Sequence, residues 1–455
     1  MKTQIKLFLL SIFILGLSSC KKDIEEARPI NVQIQLAVDE SEVWFNVPFD
    51  KAEITMTNKA NNSNYKLQAD EKGKIALQNI VPGNYNINVS LEITAEEYTK
   101  LTGTYRENSF FLNYSLTDQN LFNDQEIKIN LINSEPVGGF VIKQIYYAGS
   151  HTTRAANIRD QFVEIYNNSA DVLYADSLLL VLAYGKTNKN TDQYSLTNNQ
   201  YDWSKSIGME AITGNANEDY IYAKAIFMIP SDGTGKKYPV EPGKSIIIAQ
   251  TAVNHAGSYL NNSGTSVGAL DPHLTVDLSK ADFEVWLYPY EQKIQPGRTM
   301  FASDVDNPDV TDMTTFFATG MRDMVLTPQA RESYVLVKVD HTVNIEQLPK
   351  FAIPSVRTVS SSTTVYPQIP GKYIVDAVEV EEPTPSDRVP RRLPQRFDAG
   401  AIAVPGGQYT SQSVVRKTQK IVNGRRILKD TNNSTNDFGF LEKSNPYKDN
   451  SSFID

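Results

Sequence analysis

No segment of this chain sustains a helical apolar stripe. Short runs of alternating apolar and polar residues dominate, cut every few positions by Asn, Gly, Pro or Asp. Period-two alternation buries one face of a pleated strand, and runs this short between turn residues specify all-β domains. The 23 tyrosines and 19 phenylalanines fit, since flat rings pack well on pleated surfaces. The expected fold class is therefore all-β. Cys20 is the only cysteine in 455 residues, so hydrophobic burial rather than disulfides must hold the fold.

Cys20 also predicts an address. Lys2 and Lys6 precede an apolar run from Leu7 to Leu17, and Ser18-Ser19-Cys20 follows. The run is shorter than the roughly 20 residues a spanning helix needs, and its flanks are those of a secretory signal. Small residues before a thiol let a peptidase cut and a diacylglyceryl group attach, so residues 1–19 read as a lipoprotein signal peptide and Cys20 as the lipidation site. The polar stretch 20–27 resembles the tether of Gram-negative outer-membrane lipoproteins. Its Glu25-Glu26 pair resembles the charged signals that send such proteins to the cell surface. The expected location is thus the outer membrane, anchored by an N-terminal lipid.

With Cys20 acylated, the folded part lacks a thiol for zinc or for nucleophilic catalysis. Removing a leader that carries two lysines and no acid takes the formal net charge from −9 to −11. That surface disfavours nucleic acid as a partner.

The first domain is expected over residues 28–134. Val32 to Leu36 alternates, Asn58 to Asn64 reads as a polar hairpin, and Gly73 can supply the positive φ of a turn. Pro82-Gly83 is expected to make a tight turn with Gly83 at the positive-φ site. Thr94 to Thr102 reads as a small helical insertion and Glu126 to Ile132 as the closing strand. The stretches "DEKGKIAL" and "NIVPGNYNINV" resemble the carboxypeptidase-regulatory-like or CnaB-type sandwich of the transthyretin-like group, which implies a spacer or scaffold.

The second domain is expected over 138–440, with a C-terminal tail at 441–455. "IKQIYY", "DQFVEIYNNSADVLYADSLLLVLA" and "YPVEPGKSIIIA" resemble the lamin-tail immunoglobulin-like domain, enlarged here by long insertions. "DVDNPDVTDM", "YIVDAVE", "RRLPQRFDAG", "SQSVVRK" and "DTNNSTNDF" make the whole chain similar to an uncharacterised family of two-domain outer-membrane lipoproteins.

Few residues offer chemistry. Gly264 to Gly268 is a literal GxSxG around Ser266, but a nucleophile elbow needs a strand before the serine and a helix after it. Asn261-Asn262-Ser263 before it reads as loop, and Pro272 breaks any helix after it. Asp304, Asp306, Asp309 and Asp312 are candidate calcium ligands, since calcium takes six to eight oxygens. The EF-hand pattern fails there, because Pro308 and Asp309 replace its glycine turn and Thr315 stands where its glutamate should. Asp-rich loops also form turns without metal. Histidines 151, 255, 273 and 341 show no ligand spacing.

The basic residues Arg388 to Arg396 and Arg416 to Lys429 could grip an anion, or form the solvated side of the last hairpin. Trp203, in a polar loop, is the expected exposed aromatic and a candidate ligand contact.

The expectation is a non-enzymatic lipoprotein that binds a ligand or partner as an accessory to a TonB-dependent transporter in nutrient uptake. An adhesive or structural surface protein without a small ligand is the alternative, and a hydrolase using Ser266 the third.

Overall fold

The computed structural model describes residues 28–39, 43–106, 109–133, 139–339 and 342–455. Residues 1–27, Cys20 among them, and His341 lie outside the described residues. Among those described, no helix is long and apolar enough to cross a membrane. The chain is predominantly β, as its alternation predicts, and its buried apolar residues fall into one core before residue 134 and several contiguous ones after 139.

The first core is enclosed by seven strands: β1 (Ile30–Val38), β2 (Glu53–Asn58), β3 (Asn64–Leu67), β4 (Lys74–Ile80), β5 (Gly83–Ile93), β6 (Phe110–Leu121) and β7 (Gln125–Asn133). They run in the order β3-β2-β5-β6-β7-β1-β4. Only Leu112↔Asn133 and Asn113↔Ile132 join β6 to β7, so the path folds there into two facing layers. β1 lies parallel to β7 and antiparallel to β4. Val32, Ile34 and Leu36 point inward at alternate positions, against Ile54, Met56, Ile87 and Val89 from the other layer.

Helix α1 (Ala95–Thr102) occupies the β5–β6 connection. A capping box starts it: Thr94 Oγ1 accepts the Glu97 N–H at 3.2 Å while Glu97 Oε2 accepts the Thr94 N–H at 3.1 Å.

Two glycines behave differently. Gly73 takes φ +78°, and a Cβ there would stand 2.9 Å from Leu36 O, so the β3–β4 connection needs glycine on both counts. Gly83 does not take a positive φ, contrary to the expected Pro-Gly turn; Asn79 does, at 56°. Gly83 instead opens β5 beside Asn58, whose Nδ2 would lie 3.1 Å from an added Cβ.

The second body has two larger sheets facing across a common core. One runs Thr311–Asp312, Phe283–Glu284, Ser245–Ala249, Phe162–Asn167, Phe140–Tyr146, Ser413–Arg416, Phe438–Leu441. The other runs Lys350–Phe351, Tyr366–Pro370, Tyr220–Met228, Leu179–Ala183, Ser333–Val337, Ile374–Val378, with Thr314–Ala318 also paired to Tyr220–Met228. Leu180 and Leu182 enter the core between the sheets, while Leu179, Val181 and Ala183 enter a second core under the outer loops. Burial on both faces explains why this strand is continuously apolar rather than alternating.

Inside its C-terminal edge, the first of these sheets carries a bulge in the Phe140–Tyr146 strand. Ile142 pairs with Ile165 and Gln144 with Glu164, which makes Lys143 the extra residue. Its ammonium meets Glu164 at 2.9 Å, both side chains fully buried. The bulge releases the backbone of Ile142, whose N–H donates to Asp376 Oδ2 at 2.6 Å and whose carbonyl accepts from Arg416 Nε at 2.9 Å. The last residues close this edge: Ser452 Oγ accepts from Lys143 Nζ at 2.7 Å, and the Phe453 ring lies 3.7 Å beneath that nitrogen.

Burial also sets a pH dependence. Asp160 is fully buried; Tyr146 OH and Thr275 Oγ1 donate to its Oδ2 at 3.2 and 2.7 Å, but Oδ1 has no partner. Loss of hydration raises its pKa to about 6, against the lowering effect of Thr275, Ser150 and Tyr146. The folded value lies above the unfolded one near ~4. This contribution to stability is therefore fully present below about pH 4 and is lost as pH rises through about 6. Asp160→Asn is expected to flatten that dependence and to stabilise the fold at pH 8, by up to about 3 kcal/mol. Thermal unfolding of both proteins between pH 4.5 and 8 checks it.

Candidate functional site

The two bodies meet through side chains that replace ladder bonds. Gln395 Oε1 accepts the Ser115 N–H at 3.0 Å and its Nε2 donates to the Ser115 carbonyl at 2.9 Å, copying one step of a β-ladder along β6. Asn113 Nδ2 donates to the Thr431 carbonyl at 2.6 Å. Asn88 accepts from Asn433 Nδ2 at 3.0 Å and donates to Asn436 Oδ1 at 3.1 Å. The Asx-rich run after Asp430 is thus the latch onto β5 and β6. Asp437 holds it in shape by accepting the Thr431 N–H and hydroxyl at 2.8 and 2.7 Å.

Beside this latch the bodies enclose a groove of about 510 Å³, within the usual size of ligand sites. Lys59, Tyr114 and Gln119 line it from the sandwich, and Lys189, Asn198 and Arg388 from the second body. Lys59 pairs with Asp118, and Arg388 with Glu381 at 2.9 Å. Burial lowers the Lys59 pKa, the neighbouring charges of Arg388 and Lys189 lower it further, and Glu381 works against them. Arg391, on the same wall, gives Nη1 and Nη2 to the carbonyls of Ala399 and Asp398, while its Nε is buried without an acceptor. A second cleft, of about 700 Å³, lies near Asp219, Lys372 and Arg396, where the Arg396–Asp219 pair closes at 2.7 Å.

The basic run from Arg388 to Lys429 is not one solvated face. Arg416 is buried and bonds Asp376 at 2.6 Å and Asp430 at 3.1 Å, while Arg392 is buried against Glu379 at 2.6 Å. The released backbone at the bulge and the buried carboxylates draw Arg416 inward.

The acidic loop is split. Asp306 and Asp312 converge with Glu284, their ligand oxygens all within 4.8 Å of one another. Among the described residues this is the one group of three such side chains that does so. Asp304 turns away: both its oxygens accept the Leu287 N–H, at 3.1 and 3.0 Å, where helix α2 (Tyr288–Ile294) begins. Asp309 is exposed beyond Pro308.

Glu284 was missed because it lies 20 residues upstream; the parallel pairing of Phe283–Glu284 with Thr311–Asp312 puts it directly opposite Asp312. Like charges opposite one another repel. Glu284 is fully buried, and its two oxygens accept the N–H groups of Asn307 and Ala252 at 2.7 and 2.9 Å. Burial raises Glu284 to about 7 and Asp312 to about 6, and raises Asp306 as well. Asp312 Oδ1 is sealed from solvent without a hydrogen-bond partner.

Ser266 is exposed on one strand of a small hairpin, opposite Leu260. No strand–turn–helix surrounds it, so it lacks the strained turn of a nucleophile elbow.

Trp203 corrects an expectation: it is 6% exposed, not a surface aromatic. A 3₁₀ turn at Trp203–Lys205 drops the ring onto Tyr222, 3.6 Å between centroids and 11° between planes. Tyr184 and Tyr366 stack beside it at 3.8 Å. The exposed indole is that of Trp44, at 66%. His255 is buried, and burial lowers it to about 4, whereas His273 is exposed.

No curated protein matches this chain. Among solved structures it is similar to a DUF3823 family protein from Bacteroides ovatus, at 14% identity and a TM-score of 0.15, over 49% of this chain and 98% of that one. It is also similar to a DUF4876 family protein from Bacteroides thetaiotaomicron, at 25% identity and a TM-score of 0.48, over 90% of this chain and 95% of that one. Residues 241–445, which carry the acidic triad, the second body's part of the latch and part of one wall of the groove, match the family described as a protein of unknown function, DUF4876.

Proposed function

We propose that this protein is a non-enzymatic, lipid-anchored binding protein of the outer-membrane surface. Cys20 carries the anchor, and the first body, read as a carboxypeptidase-regulatory-like or CnaB-type sandwich, serves as a stalk. The second, read as an elaborated lamin-tail-like sandwich, presents the ligand seat with it. The observation that carries the reading is the groove of about 510 Å³ that both bodies line and the latch holds open. Thr117→Trp on the groove wall tests it. In a thermal-shift screen of saccharides and peptides, a ligand of this seat stabilises the natural protein and leaves the variant unmoved. Equal stabilisation of both overturns the seat, and no stabilisation by any member favours an adhesive role.

The partner in this reading is a TonB-dependent transporter, which would receive the captured nutrient. Copurification from mildly solubilised outer membranes supports that; a protein eluting alone in every mild detergent counts against it.

A second proposal concerns a cation. The sealed Asp312 oxygen, opposite Glu284 and beside Asp306, favours calcium as a staple of the 304–312 loop. Three carboxylates leave the remaining positions to water and carbonyls. Calcium at a hundred times its dissociation constant is expected to stabilise the protein by about 2.7 kcal/mol, and Glu284→Gln to abolish that gain. Unfolding in calcium and in chelator measures it; identical curves would exclude the staple.

A further inference from the structure

The groove carries a positive excess. The chain is acidic overall, with a formal net charge of −9, yet Lys59, Lys189, Arg388 and Arg391 line this one concavity against only Asp118 and Glu381. The two carboxylates are engaged by Lys59 and Arg388. Two cations are therefore in excess, and Arg391 still holds a buried Nε donor without an acceptor.

Between the cations stand groups of another kind. Tyr114 offers a half-buried ring, and Gln119, Asn86 and Asn198 offer amides that both donate and accept. Cations select an acid group, paired donor–acceptor amides suit hydroxyls, and an aromatic face suits the apolar side of a pyranose ring. The volume, about 510 Å³, admits an oligosaccharide rather than a lone ion.

We propose that this groove binds an anionic oligosaccharide, its acid group between Lys59, Lys189 and Arg388 and its hydroxyls on Gln119 and Asn198. The proposal rests on the reading of the groove as the ligand seat and names the ligand class. The acid is a carboxylate or a sulfate ester; the recognition chemistry is the same. No bond is made or broken. Long-range attraction by the excess cations should make binding weaken with salt.

Isothermal titration of the full mature protein tests this with three matched probes: trigalacturonate, a sulfated galactotriose and neutral galactotriose. At least one acidic probe is expected to bind roughly tenfold or more tightly than the neutral one, and more weakly as salt rises. The tighter acid identifies the source of the charge. Lys59→Gln with Lys189→Gln is expected to reduce acid binding roughly tenfold with no change in melting temperature, while Lys372→Gln in the other cleft leaves it unchanged.

Neutral binding as tight as acidic binding, still lost in Thr117→Trp, overturns the anionic class and leaves the seat standing. Acid binding that survives the double lysine substitution overturns the proposal. So does the absence of binding by all three probes, in which case the thermal-shift screen decides separately whether the groove is a seat at all.

Discussion

Replacing Arg416 with methionine is expected to cost at least about 3–5 kcal/mol, enough to unfold a domain of ordinary stability near body temperature. The side chain is 1% exposed, and its guanidinium spends every nitrogen. Nε holds the Ile142 carbonyl at 2.9 Å, Nη2 holds Asp376 at 2.6 Å, and Nη1 holds the Lys429 carbonyl and Asp430, each at 3.1 Å. Asp437 stands 3.6 Å away. Methionine fills much of the volume but leaves Asp376 and Asp437 buried without a counter-charge, and that uncompensated charge is the larger cost.

The consequence reaches the groove, because Asp437 also shapes the latch that carries Thr431 and Asn433 to the first body. Arg416→Lys should fail too, since an ammonium cannot span a planar fork of partners. Adding Asp376→Asn and Asp437→Asn to Arg416→Met should recover a large part of the loss. Urea unfolding followed by circular dichroism measures all three; a single Arg416→Met variant within 1 kcal/mol of the natural protein would refute the assignment, since surface-like substitutions fall within about that range.

The second large effect lies at the bulge. Lys143→Met alone and Glu164→Gln alone are each expected to lose about 3 kcal/mol or more, and the double variant much less than their sum. Glu164 accepts from Lys143 at 2.9 Å, from Gln144 at 3.2 Å and from the Ser245 hydroxyl, so the strands on both sides fix it. Burial lowers the Lys143 pKa while Glu164 holds it up, so removing the carboxylate leaves an ammonium supported by Ser452, the Phe453 ring and the charge of Asp449. Cutting the chain before Asp449 should therefore destabilise the body as a Lys143 substitution does. A double-mutant cycle with no coupling would show that the pair is incidental.

These residues also mark where sequence reading stops. Alternation in Val32 to Leu36 and the helical insertion at Thr94 to Thr102 are local signals, and each predicts its element. The acidic loop was half legible: Asp306 and Asp312 lie close in sequence, but Glu284 joins them only through a parallel strand pair. Arg416 and Lys143 look like surface cations because nothing nearby in sequence announces the bulge that buries them. Trp203 lies in a polar loop, yet Tyr222 stacks on it and Tyr366 meets it edge-on, both from strands distant in sequence. The groove was illegible for the same reason, since Lys59 and Arg388 meet there across more than three hundred residues.

The central claim is that both bodies together form the binding seat. Hydrogen–deuterium exchange of the protein with and without trigalacturonate tests it most directly. The account predicts slowed exchange in Tyr114–Gln119 of β6, in Asn198–Gln200 and in Glu381–Gln395, together on one ligand. Slowed exchange confined to one body, or at the 258–268 hairpin instead, would contradict it.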